Sequence, residues 1–287
     1  MTGTPQATRL PRVLVDPIVR AALEEDLGRA GDLTTDALVD PDARATGAIR
    51  ARTAGRVAGV QAACLAFELL DPAVRITVAA DDGAPVDAGA TILRVEGPAR
   101  ALLTGERVAL NLLGHLSGIA TATAELVAAV AGSGAAIADT RKTTPGLRAL
   151  EKAAVRAGGG RNHRFGLDDA VLIKDNHIQL AGGPAAAVRR ARAAVGHLVK
   201  IEVEVDTLDQ LAAVLPQAPD AVLLDNMDVA MLRTAVARIA GRAVAEASGT
   251  VTLESAPAIA ATGVDLISAG WLTHSAPALD VGLDFDA

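Results

Sequence analysis

The sequence predicts an α/β protein in which a parallel (β/α) barrel, complete or missing a strand, follows a smaller N-terminal α+β domain. Three observations carry this reading. Beyond residue 118, six short apolar runs, AAIA, AVLI, VKIEVEV, AVLLD, AVAEA and VDLISAG, alternate with Ala-rich helical segments. Strand-then-helix units recurring every roughly 20 to 35 residues imply parallel strands joined by right-handed crossovers. Each run also ends on a polar group, as strands do when their carboxyl ends form the mouth of a barrel. Ahead of residue 110 the texture differs, with clustered β-like runs and two helices, which suits an α+β sandwich.

Composition supports a large core and narrows the function. The chain has 287 residues, 51% of them apolar, with no Tyr, three Phe and one Trp, so the core is aliphatic. The stacking platforms of single-strand nucleic-acid binders are missing. A net charge of -7 also argues against a nucleic-acid partner. The single cysteine, Cys64, excludes an internal disulfide framework and a Cys-rich metal site. The amino terminus, MTGTPQATRLPRV, lacks the apolar run of a signal peptide. The longest apolar stretch, near 126–138, is broken by Gly132, Ser133 and Gly134. The expectation is a cytoplasmic protein with no membrane partner.

Residues 1 to about 12 read as a loose tail. Asp16 reads as an N-cap with Pro17 at the first helical position, opening an amphipathic helix that ends near Gly28. After GDLTTDAL, the runs AIRARTAGRVAGV, VRITVAA and TILRVEG read as strands, separated by turn signals such as Asp82-Gly83 and Ala88-Gly89. A helix over 101–116 carries Thr104, Arg107, Asn111 and His115 on one face. That stripe is either ordinary solvated surface or a face turned to a polar site or partner subunit. In VKIEVEVD the strand period puts Glu202 and Glu204 on the same side as Lys200 and Asp206, with Ile201, Val203 and Val205 towards the helices.

The chemistry concentrates in residues 139–178. Arg141, Lys142, Arg148, Lys152, Arg156, Arg161, Arg164 and Lys174 gather there around His163, inside an otherwise acidic chain. Thr144-Pro145 opens a helix whose apolar side is Leu147, Leu150, Ala154 and Val155, closed by Gly158-Gly159-Gly160. Lys152 and Arg156 read as its exposed basic face. Arg141 and Lys142 sit on a strand tip, and glycines flank the loop of His163 and Arg164. Two unit charges about 4 Å apart interact by roughly 4 kcal/mol at an effective dielectric near 20, so cations converging on one mouth call for a polyanionic ligand. Arginine forks suit its carboxylates or phosphates. The acidic tips Glu204 and Asp225 make sense if the ligand also brings hydroxyls, Mg²⁺ or a carbon that becomes cationic. The small-residue tips at 248–250 and 269–271 suit a phosphate held by backbone amides. A Schiff-base aldolase using Lys142 or Lys174 is disfavoured, because cations and Asp175 flank those lysines where an apolar wall is needed. A non-catalytic anion binder would not need Glu204 and Asp225.

Seven segments together resemble the quinolinate phosphoribosyltransferase family: EDLGRAGDLTTDA, GERVALNLLGHLSGIAT, DTRKTTPGLRALEKAAVRAGGGRNHRFGL, VLIKDNHI, IEVEVD, LLDNM and ISAGWLTHSAPALD. The resemblance covers nearly the whole chain. It implies an α+β sandwich over residues 1–112, with the tail 275–287 packed on it, and an incomplete (β/α) barrel over 113–274. It implies that phosphoribosyl pyrophosphate and quinolinate yield nicotinate mononucleotide, pyrophosphate and CO₂, with Mg²⁺, in NAD biosynthesis. By matched position, Arg141, His163, Arg164 and Lys174 would hold quinolinate, joined by Arg107 from the other subunit of a homodimer. Lys142, Glu204 and Asp225 would be the catalytic groups, with Glu204 and Asp225 near the ribose and metal. Thr140, Lys142 and these two acids would meet phosphoribosyl pyrophosphate, whose 5′-phosphate falls to Ser248, Gly249, Thr250, Ala269, Gly270 and Trp271. Thr250 and Trp271 stand where the family more usually has Gly and a small residue. A paralogue acting on nicotinate is the nearest alternative, although one carboxylate would leave this cation set in excess.

Overall fold

The computed structural model describes residues 9–286. Most of the expected amino-terminal tail, residues 1–8, lies outside them. From the amino end the elements are α1 (Arg12–Leu27), α2 (Leu33–Leu38), β1 (Arg44–Ala51), β2 (Gly55–Arg56), α3 (Val60–Glu68), β3 (Arg75–Val78), β4 (Pro85–Val86), β5 (Thr91–Pro98) and α4 (Ala99–Ala129). There follow β6 (Ala136–Ala138), α5 (Arg148–Ala157), β7 (Val171–Ile173), α6 (Asp175–Ala181), α7 (Pro184–Ala194), β8 (Ile201–Val205) and α8 (Leu208–Val214). The last are β9 (Ala221–Asp225), α9 (Val229–Ile239), β10 (Val244–Ser248), α10 (Ala256–Ala260), β11 (Leu266–Ser268), α11 (Trp271–His274) and β12 (Val281–Phe285). Two compact units result, Met1–Ala124 with Thr143–Gly159 and Leu272–Ala287, and Glu125–Lys142 with Gly160–Trp271.

The first unit is built on an antiparallel sheet of order β12-β1-β5-β3, in which the carboxyl-terminal strand pairs with β1. Helix α1 buries Val15, Val19 and Leu23, one turn apart. It starts after Pro11 and holds Pro17 inside, five residues ahead of the expected start, with Arg12 bonded to Asp16 across its first turn at 3.3 Å. Pro17 is the sixth residue of the helix, so its missing N–H forfeits the bond to the Val13 carbonyl. GDLTTDAL becomes α2, capped where the Asp32 carboxylate accepts the Thr35 amide at 3.0 Å. Helix α4 runs well beyond the expected 101–116 and passes straight through the expected 112/113 boundary. Its glycines serve close approach: a Cβ on Gly118 would stand 2.1 Å from the Pro277 carbonyl oxygen. By length and apolarity α4 resembles a membrane span, yet Leu102, Leu113, Leu116 and Ile119 are core residues of this unit.

Helix α5 belongs to the first unit and corrects one expectation. Lys152 is only 1% exposed, because α5 is enclosed on nearly all sides, burying Leu150, Glu151, Lys152, Ala154, Val155 and Ala157. Arg156 is exposed as a basic face residue should be. The polar stripe of α4 is part internal: Thr104 donates to Asp32 at 3.0 Å, and His115 Nε2 lies 2.8 Å from the buried Glu151. Arg107 and Asn111 are exposed.

The second unit holds all six expected strands in one parallel sheet of order β6-β11-β10-β9-β8-β7. Chain order and sheet order differ only because β6 pairs with the last strand, as in a barrel. Closure fails between β6 and β7: among the described residues the seam shows one bridge, Ala138 to Arg161, in place of a strand. The barrel is therefore incomplete. Outward residues Ile201, Val203, Val205, Val222, Leu224, Ala245 and Ala247 are buried, as strands sandwiched beneath helices require.

Candidate active site

Strand parity builds the site. In a parallel sheet every second residue faces the interior, so residues of one parity on neighbouring strands share one space. Here they are Thr140 after β6, Leu172 on β7 and Lys174 after it, Glu204 on β8, Leu223 and Asp225 on β9, Glu246 and Ser248 on β10, and Ser268 on β11. All of these line a cavity of about 400 Å³, joined by Arg141, Lys142, His163 and Arg164. Arg141 and Lys142 follow β6 and Arg164 lies on the loop before β7, while Lys174, after β7, is paired with Glu204. Lys200 turns away to Asp220, 2.8 Å distant, and Asp206 is exposed, so the inward run in VKIEVEVD is Glu202 and Glu204 alone.

The cationic side is held by local bonds. The Lys142 amide donates to Thr140 Oγ1 at 3.0 Å, shaping the tip after β6. The glycine-flanked loop closes on Asp169, whose carboxylate accepts the amides of Phe165 at 2.6 Å and Gly166 at 3.0 Å. Those donors hold the Asp169 carboxyl below its ordinary pKa against the opposing effect of burial, its largest single influence. Arg164 donates from Nη1 to the Ala170 carbonyl at 3.0 Å, and its Nε is buried without an acceptor in the chain. Burial first, and then the neighbouring Arg141, lower its pKa, the mark of cations packed together ahead of an anion. Lys174 Nζ meets Glu204 Oε2 at 2.6 Å. Asp225 Oδ2 accepts from Asn226 Nδ2 at 2.7 Å.

The floor is a polar cluster. His163 Nε2 lies 2.7 Å from Glu202 Oε2 and 3.8 Å from Glu246 Oε1. The Arg164 amide donates to His163 Nδ1 at 2.8 Å, so Nδ1 carries no proton and Nε2–H donates to Glu202. The buried Asp139 carboxylate accepts the His163 amide at 2.8 Å and Asn162 Nδ2 at 2.6 Å, fixing the loop from beneath. Glu246 is 1% exposed, and burial together with the charge of Glu202 pushes its pKa up to about 7. The ligand atoms of His163, Glu202 and Glu246 lie within 4.8 Å of one another, close enough for a metal. The ring nitrogens of His163 are both engaged, while Glu202 Oε1 and Glu246 Oε1 are buried without a hydrogen-bond partner. Glu204 and Asp225 fit Mg²⁺ better, being hard oxygen donors on neighbouring strand tips.

The remaining expected residues do not line the cavity. Gly249 has φ +130°, and a Cβ there would stand 2.6 Å from Asn226 Oδ1, so this position needs glycine. Thr250, which stands where the family more usually has Gly, does not share the left-handed φ and carries no backbone strain. Trp271 is half-buried and its indole Nε1 donates to the Val251 carbonyl at 2.9 Å. The Ala269 amide is engaged with the Ala138 carbonyl at 3.0 Å, inside the sheet. Gly270 follows directly on the β11 tip. Arg107 belongs to the first unit. Sequence reasoning missed Glu246, Ser268 and Asp139 as site residues. The first two were readable, since AVAEAS and LIS carry inward residues at the same period as IEVEV.

The chain matches the family models for the quinolinate phosphoribosyl transferase N-terminal domain over residues 32–117 and C-terminal domain over residues 119–284. It is similar to the nicotinate-nucleotide pyrophosphorylase (carboxylating) of Mycobacterium leprae, with 48% identity over 271 residues covering 93% of this chain and 95% of that one. The probable nicotinate-nucleotide pyrophosphorylase (carboxylating) of Bacillus subtilis is 46% identical over 260 residues, 91% of this chain and 89% of its own. The solved structure of the nicotinate-nucleotide pyrophosphorylase from Francisella tularensis superposes with a TM-score of 0.93 at 39% identity, covering 99% of this chain and 100% of that one. Sequence models, relatives and fold agree, and the chain belongs to the quinolinate phosphoribosyl transferase family.

Proposed function

We propose that the chain transfers the phosphoribosyl group of phosphoribosyl pyrophosphate to quinolinate with loss of CO₂, giving nicotinate mononucleotide and pyrophosphate for NAD biosynthesis. The observation that carries this reading is one cavity that gathers Arg141, Lys142, Arg164 and Lys174 together with Glu204 and Asp225, Lys174 being paired with Glu204 at 2.6 Å. The cations suit a dicarboxylate and a pyrophosphate, and the acids suit a sugar that becomes positively charged. In this reading Arg141, Arg164 and Lys174 bind the ring carboxylates, the buried Nε of Arg164 being a donor without an acceptor. His163, both of whose ring nitrogens are engaged in the chain, serves by fixing the loop and offering its ring edge. Lys174 leaves Glu204 for the incoming carboxylate, which frees Glu204 for the ribose hydroxyls. Lys142 neutralises charge on the departing pyrophosphate. Glu204 and Asp225 stabilise the cationic ribose carbon as that bond lengthens. Bound at Glu204 and Asp225 and at the substrate's own oxygens, Mg²⁺ would supply further charge neutralisation. Once the ring nitrogen is alkylated, its positive charge stabilises the electron pair left on the adjacent carbon as CO₂ departs, and a proton from water then takes that position to give nicotinate mononucleotide. Arg107 acts from the neighbouring subunit of a homodimer, in the cytoplasm.

Quinolinate labelled in its 2-carboxylate, supplied with phosphoribosyl pyrophosphate and Mg²⁺, should release labelled CO₂ in step with nicotinate mononucleotide. No labelled gas would overturn the reaction, and turnover of nicotinate in its place would reassign the substrate.

A further inference from the structure

The tips of β9, β10 and β11 are tied together by bonds that no assigned role uses. The Asn226 amide donates to the Ser248 carbonyl at 3.0 Å, and its side chain both bonds Asp225 and closes over Gly249. The Val251 amide returns to the Gly249 carbonyl at 3.0 Å, turning the chain sharply. Trp271, the only tryptophan of a chain without tyrosine, reaches over from the β11 tip and donates its indole N–H to the Val251 carbonyl. Among the described residues, the amides of Gly249 and Thr250, between these anchors, donate to no group of the chain. Two free neighbouring amides on a turn held from both sides form a preset anion cradle.

We infer that Trp271 is a positioning residue for the phosphoribosyl substrate, its indole N–H holding the turn at 249–251 so that the Gly249 and Thr250 amides meet the phosphate already oriented. The inference rests on the proposed reaction and adds to it a residue that touches the turn and not the reacting atoms. An indole is needed because the donor must span from one strand tip to the next while its apolar body stays half-buried. Phenylalanine would fill the same space without the N–H, leaving the Val251 carbonyl unbonded and the turn free to sample other shapes.

The test is the full-length enzyme carrying Trp271→Phe. Losing one neutral hydrogen bond that orients the turn should raise the KM for phosphoribosyl pyrophosphate about fivefold. The KM for quinolinate and the kcat at saturating phosphoribosyl pyrophosphate should stay within about twofold, the signature of binding lost equally in ground and transition states. An unchanged KM for phosphoribosyl pyrophosphate, or an equal loss in both KM values and kcat, would overturn the assignment in favour of a merely structural role. The wild-type protein gives a second readout through its single fluorophore. Ribose 5-phosphate, added as a competitor, should shift the tryptophan emission saturably with the constant at which it inhibits; inhibition without a shift contradicts the inference. Absence of CO₂ release by the wild type would instead count against the reaction itself.

Discussion

Glu246 shows how one side chain sets a property of the whole site. A carboxyl enclosed by the barrel and facing Glu202 keeps its proton to about pH 7. The floor beneath a cavity meant for anions therefore carries less negative charge than its two acids suggest. Because the folded-state pKa lies above the ordinary value of 4.5, folding favours the protonated form, and this contribution is fully present below that value. It is lost as the pH rises through about 7. Asp220 works in the opposite sense: burial raises its pKa, but Lys200, the Ile201 amide and Arg192 outweigh it and hold the group at about 2, so its stabilisation exists above the ordinary carboxylate range and disappears in acid. Glu246→Gln keeps the shape and removes the titration. The fall in urea midpoint between pH 5 and pH 8 should be smaller in the variant than in the wild type; equal falls would show that Glu246 does not titrate in this window.

At the scale of elements, what was legible followed from periodicity, and what was missed followed from enclosure. All six barrel strands and their polar tips were readable because alternation within IEVEV or AVLLD is a property of the strand alone. Lys152 was misread because burial of a helix on all sides is decided by what packs on it, which no stretch of ten residues encodes. The start of α1 was missed because proline reads as a first helical position, and here it lies in the second turn. The length of α4 was missed because the polar stripe that marked the helix stops at His115, and the Ala-rich stretch after it carries no such stripe. Gly118 offers a direct check, since a Cβ would meet the Pro277 carbonyl at 2.1 Å and the backbone there cannot yield cheaply. Gly118→Ala should cost roughly 1–3 kcal/mol by urea denaturation, the range of overpacked sites. A neutral substitution would mean that the tail shifts away freely.

At the scale of the whole molecule the untested question is how many chains make a site. The cavity draws every lining residue from the second unit, while the arginine expected to complete it, Arg107, is exposed on α4. If active sites are shared in a homodimer, mixing Arg107→Ala with Lys174→Ala regenerates activity, because a mixed dimer contains one site free of both changes. Each variant alone should lose at least about a hundredfold in kcat/KM, in line with about 3 kcal/mol for a charged contact to a substrate ion. After subunit exchange the mixture should recover up to about a quarter of wild-type turnover, half of the mixed dimers' sites being intact. No recovery, with exchange verified by mass spectrometry, would place Arg107 in its own chain's chemistry or outside it.

The unclosed seam between β6 and β7 has a consequence for binding itself. Arg141 and Lys142 lie just past one lip of that seam and Lys174 just past the other. A closed ring would fix their separation by hydrogen bonds from strand to strand, whereas here one bridge at Arg161 stands in for a whole ladder. On the proposed assignment of Arg141 and Lys174 to the ring carboxylates, a dicarboxylate gripped from both lips would work as a clasp, completing with its own charges a circle that the backbone leaves open.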